Sequence, residues 1–76
     1  MPTLFKIGSL KVQMFADDHN PPHFHIVTPD FEALVRLSDL TVIAGSIDRR
    51  SYDAAIAWAK AHTKELEDEW QRLNER

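Results

Sequence analysis

A chain of 76 residues holds one small core, and at this length only about 60% of the unfolded surface is buried on folding, so stability is expected to be slight. The hydrophobic share of 43% and the charged share of 28% exclude a disordered segment, and the lack of cysteine excludes a disulfide framework or a thiolate metal site. The net charge of −3 is spread over both halves, with three basic and five acidic residues in 1–47 and six and seven in 48–76, so nucleic-acid binding is not favoured by charge.

The start, Met1-Pro2-Thr3, has neither a basic patch nor an apolar run, and no stretch reaches the length of a membrane span. A cytoplasmic protein with no membrane partner is expected. Leu4–Ile7 and Leu10–Phe15 are rich in branched and aromatic residues and flank Gly8-Ser9, which predicts a tight hairpin with Ile7 opposite Leu10. That register gathers Phe5, Ile7, Leu10, Val12 and Met14 on one face and leaves Lys6, Lys11 and Gln13 on the other.

The stretch Asp17-Asp18-His19-Asn20-Pro21-Pro22-His23-Phe24-His25 concentrates three of the four histidines and two of the four prolines. Successive prolines lack N–H donors and hold their predecessors extended, so Asn20-Pro21-Pro22 predicts a stiff connector. His23–Thr28 and Phe31–Leu37 then form a second hairpin around Pro29-Asp30. Pairing Thr28 with Phe31 sets Ile26 opposite Ala33 and Phe24 opposite Val35 on the core face. The outer face carries His25 opposite Leu34 and His23 opposite Arg36, with Glu32 beside Val27.

Thr41-Val42-Ile43 favours a short strand, but the run does not alternate and Gly45-Ser46 follows it, so a loop anchoring Val42 or Ile43 in the core is the other reading of residues 40–44. From Asp48, a good N-cap, a helical series recurs at threes and fours: Tyr52, Ala55, Ile56, Ala59, Thr63, Leu66, Trp70 and Leu73. No proline or glycine interrupts residues 49–76, and one helix of that length would run about 40 Å. Its end, near Trp70 and Leu73, is expected to overhang, to bend back, or to meet a protein partner or a second copy in a homodimer. The fold class is therefore α+β in one domain, 1–76. A small antiparallel sheet of two hairpins, with or without a further strand, packs against one long C-terminal helix.

With Asp18-His19-Asn20-Pro21-Pro22-His23-Phe24-His25 in hand, the chain resembles the small bacterial proteins grouped as domain-of-unknown-function family 4160. The H-N-P-P-H-x-H run carries the resemblance. The Met1-Pro2-Thr3 start, the glycine-turn hairpin and the His62, Leu66, Trp70 spacing extend it over nearly the whole chain. Asp48-Arg49 departs from the family's common Ser-Pro helix start. The resemblance implies a compact fold and, through its association with other small uncharacterised proteins, half of a toxin–antitoxin-like pair. It carries no activity.

Three uses of the histidines remain open. His23 and His25, two apart on a strand, project to one side about 6.5 to 7 Å apart and suit a divalent metal such as zinc, with His19 completing His19, His23 and His25 as ligands and Asp17 or Asp18 as substitutes. A catalytic or phosphate-contacting set of His23, His25 and Arg36 is the second use, with one imidazole as general acid or base. In the third, His19 and His23 bond backbone groups around the proline turn and Asp17 and Asp18 are turn residues. Asp18, His19, Asn20, His23 and His25 are the candidate binding residues in all. His62 is expected to pack or cap. No Ser or Cys nucleophile motif, phosphate loop or dinucleotide fingerprint is present, so an interaction module leads and a small metal- or histidine-dependent hydrolase or ribonuclease is the alternative.

Overall fold

The computed structural model describes residues 3–16 and 21–74. Five antiparallel strands, β1 (Thr3–Ile7), β2 (Leu10–Gln13), β3 (His23–Val27), β4 (Glu32–Arg36) and β5 (Val42–Ser46), lie side by side in chain order. Two helices follow, α1 (Arg49–Ala61) and α2 (Thr63–Asn74). The α+β class is as expected. Both hairpin registers are also as read, from Ile7 opposite Leu10 to His23 opposite Arg36, because a one-residue slip would turn every apolar side chain to the wrong face.

Leu10, Val12, Met14, Phe24, Ile26 and Val35 are buried in one core with Ala55, Ile56 and Ala59 of α1 and Leu66 and Trp70 of α2. Ile7 shares the face but, at the hairpin tip, remains 56% exposed. Among the described residues no helix is long and apolar enough to cross a membrane.

The single long helix is not formed. The chain breaks at His62 (φ −132°, ψ 29°), whose backbone N–H donates to Ala59 O and whose Nδ1 lies 2.8 Å from Trp58 O. A carbonyl only accepts, so the ring donates and caps the end of α1 that the broken ladder leaves open. The Trp58 ring stacks on Phe5 at 4.9 Å and on His62 at 4.6 Å, fixing the break against β1. The chain therefore bends back, one of the three expected outcomes. The molecule measures 35 × 23 × 23 Å, Trp70 is 8% exposed, and Leu73 packs against the core. At the other end of α1, Asp48 accepts from Ser51 N at 3.0 Å, as expected of an N-cap.

Residues 42–46 form a strand rather than an anchoring loop. Val35 pairs with Val42 and Leu34 with Ala44, so Ile43 is an extra residue, and this bulge is why the run fails to alternate. Gly45 lies inside the strand at φ +78°, where a side chain's Cβ would run into the backbone oxygen of Glu32. Before β5, Leu40 holds φ +60°, strained for a branched residue. The turn is tied by Leu40 N donating to Arg36 O and Tyr52 Oη donating to Leu40 O, each at 2.8 Å.

Gly45→Ala combines a left-handed φ with a backbone clash against β4. It is expected to cost about 2 kcal/mol or more in chemical denaturation. A neutral Gly45→Ala would mean that β5 detaches from β4 at no cost.

Candidate functional site

Asp17, Asp18, His19 and Asn20 lie outside the described residues. The rest of the signature joins three elements. Leu37 N donates to Pro22 O at 2.9 Å, extending the β3–β4 ladder, although Pro22 itself has no donor to give. His23 Nδ1 lies 2.8 Å from Pro21 O and must donate, since a carbonyl has no hydrogen. Proline rigidity thus holds a carbonyl in place, and the histidine two residues on satisfies it.

His23 is 3% exposed, contrary to the expectation that it faces solvent across from Arg36. The strand alternation is right, since Phe24 and Ile26 are buried and His23 is opposite Arg36. What periodicity could not convey is that the bent-back α2 brings the Trp70 ring to 5.2 Å from the His23 ring.

His25 is turned to the outer face. Its ring stands 5.3 Å from that of His23 and meets the Phe15 ring edge-on at 4.4 Å. Its Nδ1 donates to Glu32 Oε2 at 3.0 Å. Both rings therefore carry a hydrogen on Nδ1. Glu32 was missed as a site residue. The signal was its diagonal position, since His25 opposes Leu34 and Glu32 lies two residues from Leu34 on the same face.

Arg36 grips Asp39 with two bonds, Nε to Oδ1 at 3.0 Å and Nη2 to Oδ2 at 2.6 Å, and donates to Thr41 Oγ1 at 3.1 Å. Thr41 donates to Asp39 from its backbone N and from its hydroxyl. The Asp39 carboxyl is held well below the usual carboxylate range, chiefly by the Arg36 hydrogen bonds and then by those from Thr41, while Arg36 is raised by the same pairing. The guanidinium charge is balanced within its own loop, which weakens the expected phosphate contact. A cleft of about 250 Å³ with Pro21, Pro22, Trp70 and Gln71 in its walls separates this loop from α2. Among the described residues no group of three or more His, Asp or Glu side chains is placed to hold a metal ion.

A second surface was not anticipated. All five residues of β5 are exposed, including Val42 at 40% and Ile43 at 38%, and a groove of about 450 Å³ bounded by Val42, Ile47, Arg49 and Tyr52 runs beside it.

The fold and these groups define a small α+β protein in which an antiparallel meander carries a histidine–carboxylate pair beside a double-proline step. Residues 10–71 match the family model of the domain of unknown function DUF4160, and the chain belongs to that family. Neither a search of curated proteins nor one of solved structures returned a match.

His23→Ala removes a buried donor, orphans Pro21 O and opens a gap beside Trp70, so a loss of about 2 kcal/mol or more is expected. The His25 side chain is only 13% exposed, against the sequence expectation of a surface residue, but its partner Glu32 is half in solvent, so His25→Ala is expected to cost about 1 to 2 kcal/mol, less than His23→Ala. Urea denaturation of the two variants side by side checks the order, and a larger loss at His25 would make the outer pair, not the His23 clamp, the support of this corner.

Proposed function

We propose that the protein is a protein-binding module whose docking element is the open edge of β5. The supporting observation is the contrast between the two edges of the sheet. Edge strands expose a row of backbone donors and acceptors, and soluble proteins usually blunt them with charge, proline, a bulge or cover. β1 carries Lys6, whereas Val42–Ser46, though bulged at Ile43, carries no charge and no proline and exposes Val42 and Ile43. An extended segment added there gains ladder bonds, and the groove by Val42, Ile47 and Tyr52 accepts an alternate side chain. The site expected at the end of the helix moves to β5, because Trp70 and Leu73 are spent on the core. Half of a toxin–antitoxin-like pair is one form such a module takes.

A photoreactive amino acid at position 43 is expected to give one dominant protein adduct in cells, and the same group at position 6 on the other edge none. Equal labelling from both edges, or none from position 43, removes the reading.

A second reading, a divalent-metal or acid–base site at His23 and His25, is favoured by one observation. Each ring donates Nδ1–H, one to a carbonyl and one to a carboxylate, as metal-ligating histidines do. It predicts one-to-one zinc binding by calorimetric titration that His25→Ala abolishes and Glu32→Gln weakens about tenfold. A titration without heat closes it.

A further inference from the structure

We infer that the cleft between α2 and the turn after β4 is a binding site for an alkyl guanidinium, the side chain of an arginine on a protein partner. It needs no occupant at the β5 edge, so this inference and the binding-module reading fail separately.

The walls of the cleft are apolar and fixed. Pro21, Pro22, Leu37 and Trp70 line it. Proline rings have no φ freedom to lose, and both are held from behind, Pro21 O accepting from the His23 ring at 2.8 Å and Pro22 O from Leu37 N at 2.9 Å. The Trp70 ring rests 5.2 Å from the ring of His23, so the wall on α2 is tied to the same histidine. A guest enters a slot that is already formed, and little ordering has to be supplied on binding. At about 250 Å³ the slot is smaller than sites that enclose a whole drug-sized ligand and takes a single side chain, with the backbone that carries it left outside.

The polar groups choose the guest. Arg36 also lines the cleft, but Asp39 holds its guanidinium with two bonds and cancels its charge. Glu67, three residues before Trp70 on the same face of α2, lines the cleft as an exposed carboxylate with no counter-charge. Its neighbour Lys64 pairs with Asp68 at 3.3 Å instead, and Glu67 makes no ion pair with any described residue. The unbalanced charge is negative, which selects a cation and rejects a phosphate or a carboxylate. The walls decide which cation. An ammonium is compact and strongly hydrated, whereas a guanidinium is weakly hydrated, stacks on aromatic rings and meets a carboxylate with two parallel N–H donors. An arginine lays its methylenes along Pro21, Pro22 and Leu37 and sets its head between Trp70 and Glu67.

The two tryptophans allow a test with an internal control. Trp70 lines the cleft, while Trp58 lies beside Glu65, Asp68 and Glu69, whose carboxylates face His62, Lys64 and Arg72, and so reads non-specific attraction to an acidic surface. In two-dimensional NMR spectra of the full chain, N-acetyl-arginine amide is expected to move the Trp70 indole signal along a saturating curve with a roughly millimolar midpoint, and to leave that of Trp58 in place. N-acetyl-norleucine amide, a stem without charge, and N-acetyl-glutamate amide should each bind about tenfold more weakly or less. Glu67→Gln is expected to weaken the arginine amide about tenfold, and Glu65→Gln to leave it unchanged. Gln71→Glu, which adds a second carboxylate to the lining, should tighten it and serves if Glu67→Gln does not fold. A Trp70 signal that does not saturate, a Trp58 signal that moves alike, an equal response to the norleucine or glutamate amide, or unchanged binding in the folded variants overturns the inference. Free arginine, whose α-ammonium and carboxylate have no counterpart in the cleft, should bind no more tightly than the capped form. Tighter binding of free arginine makes the amino acid itself the occupant and overturns the partner's side chain.

Discussion

The apolar stripe from Tyr52 to Leu73 is too long to lie straight on a sheet whose strands have four or five residues, and the ring of His62 decides how that excess is used. By donating Nδ1–H to Trp58 O while its own N–H takes Ala59 O, it supplies the end of α1 with donors that a continuing helix would have provided. The Phe5–Trp58–His62 stack anchors this point to the first strand. Everything at the proline end follows from it. α2 returns, Trp70 reaches His23, and a strand terminus that would be open becomes part of the core.

One sequence motif thus contains two histidines with different occupations. His23 serves as the donor that a proline carbonyl needs and is enclosed by α2. His25, two residues on, is oriented by Glu32 and Phe15, and its side chain keeps 13% exposure. Their shared strand side made them look equivalent. Their distance from the end of the sheet separates them.

What the sequence disclosed was whatever obeys a period of two or of about four. Both hairpins were legible because Leu10, Val12, Phe24, Ile26 and Val35 must share one side, and the turns at Gly8-Ser9 and Pro29-Asp30 leave one register that does so. β5 was half hidden because Ile43 is an inserted residue and Gly45, which ordinarily ends a strand, lies within one. The helix break carried no glycine or proline, so only a side chain able to cap a backbone carbonyl could have signalled it. The pairing of Glu32 with His25 depends on diagonal neighbours across a ladder, one step beyond direct opposition.

The order of the strands also bears on how the chain finds its structure. In β1-β2-β3-β4-β5 every ladder joins sequence neighbours, so each pairing closes a short loop and costs little chain entropy. Such topologies have low contact order for β proteins, a property that correlates with faster folding. The demanding closure is elsewhere. The Asn74 side-chain amide donates to Phe15 O across 59 positions and so ties the last turn of α2 to the residue that follows β2. The helix that encloses His23 is thus tied to the sheet by a contact that spans most of the described chain, unlike the ladders, each of which joins neighbouring strands.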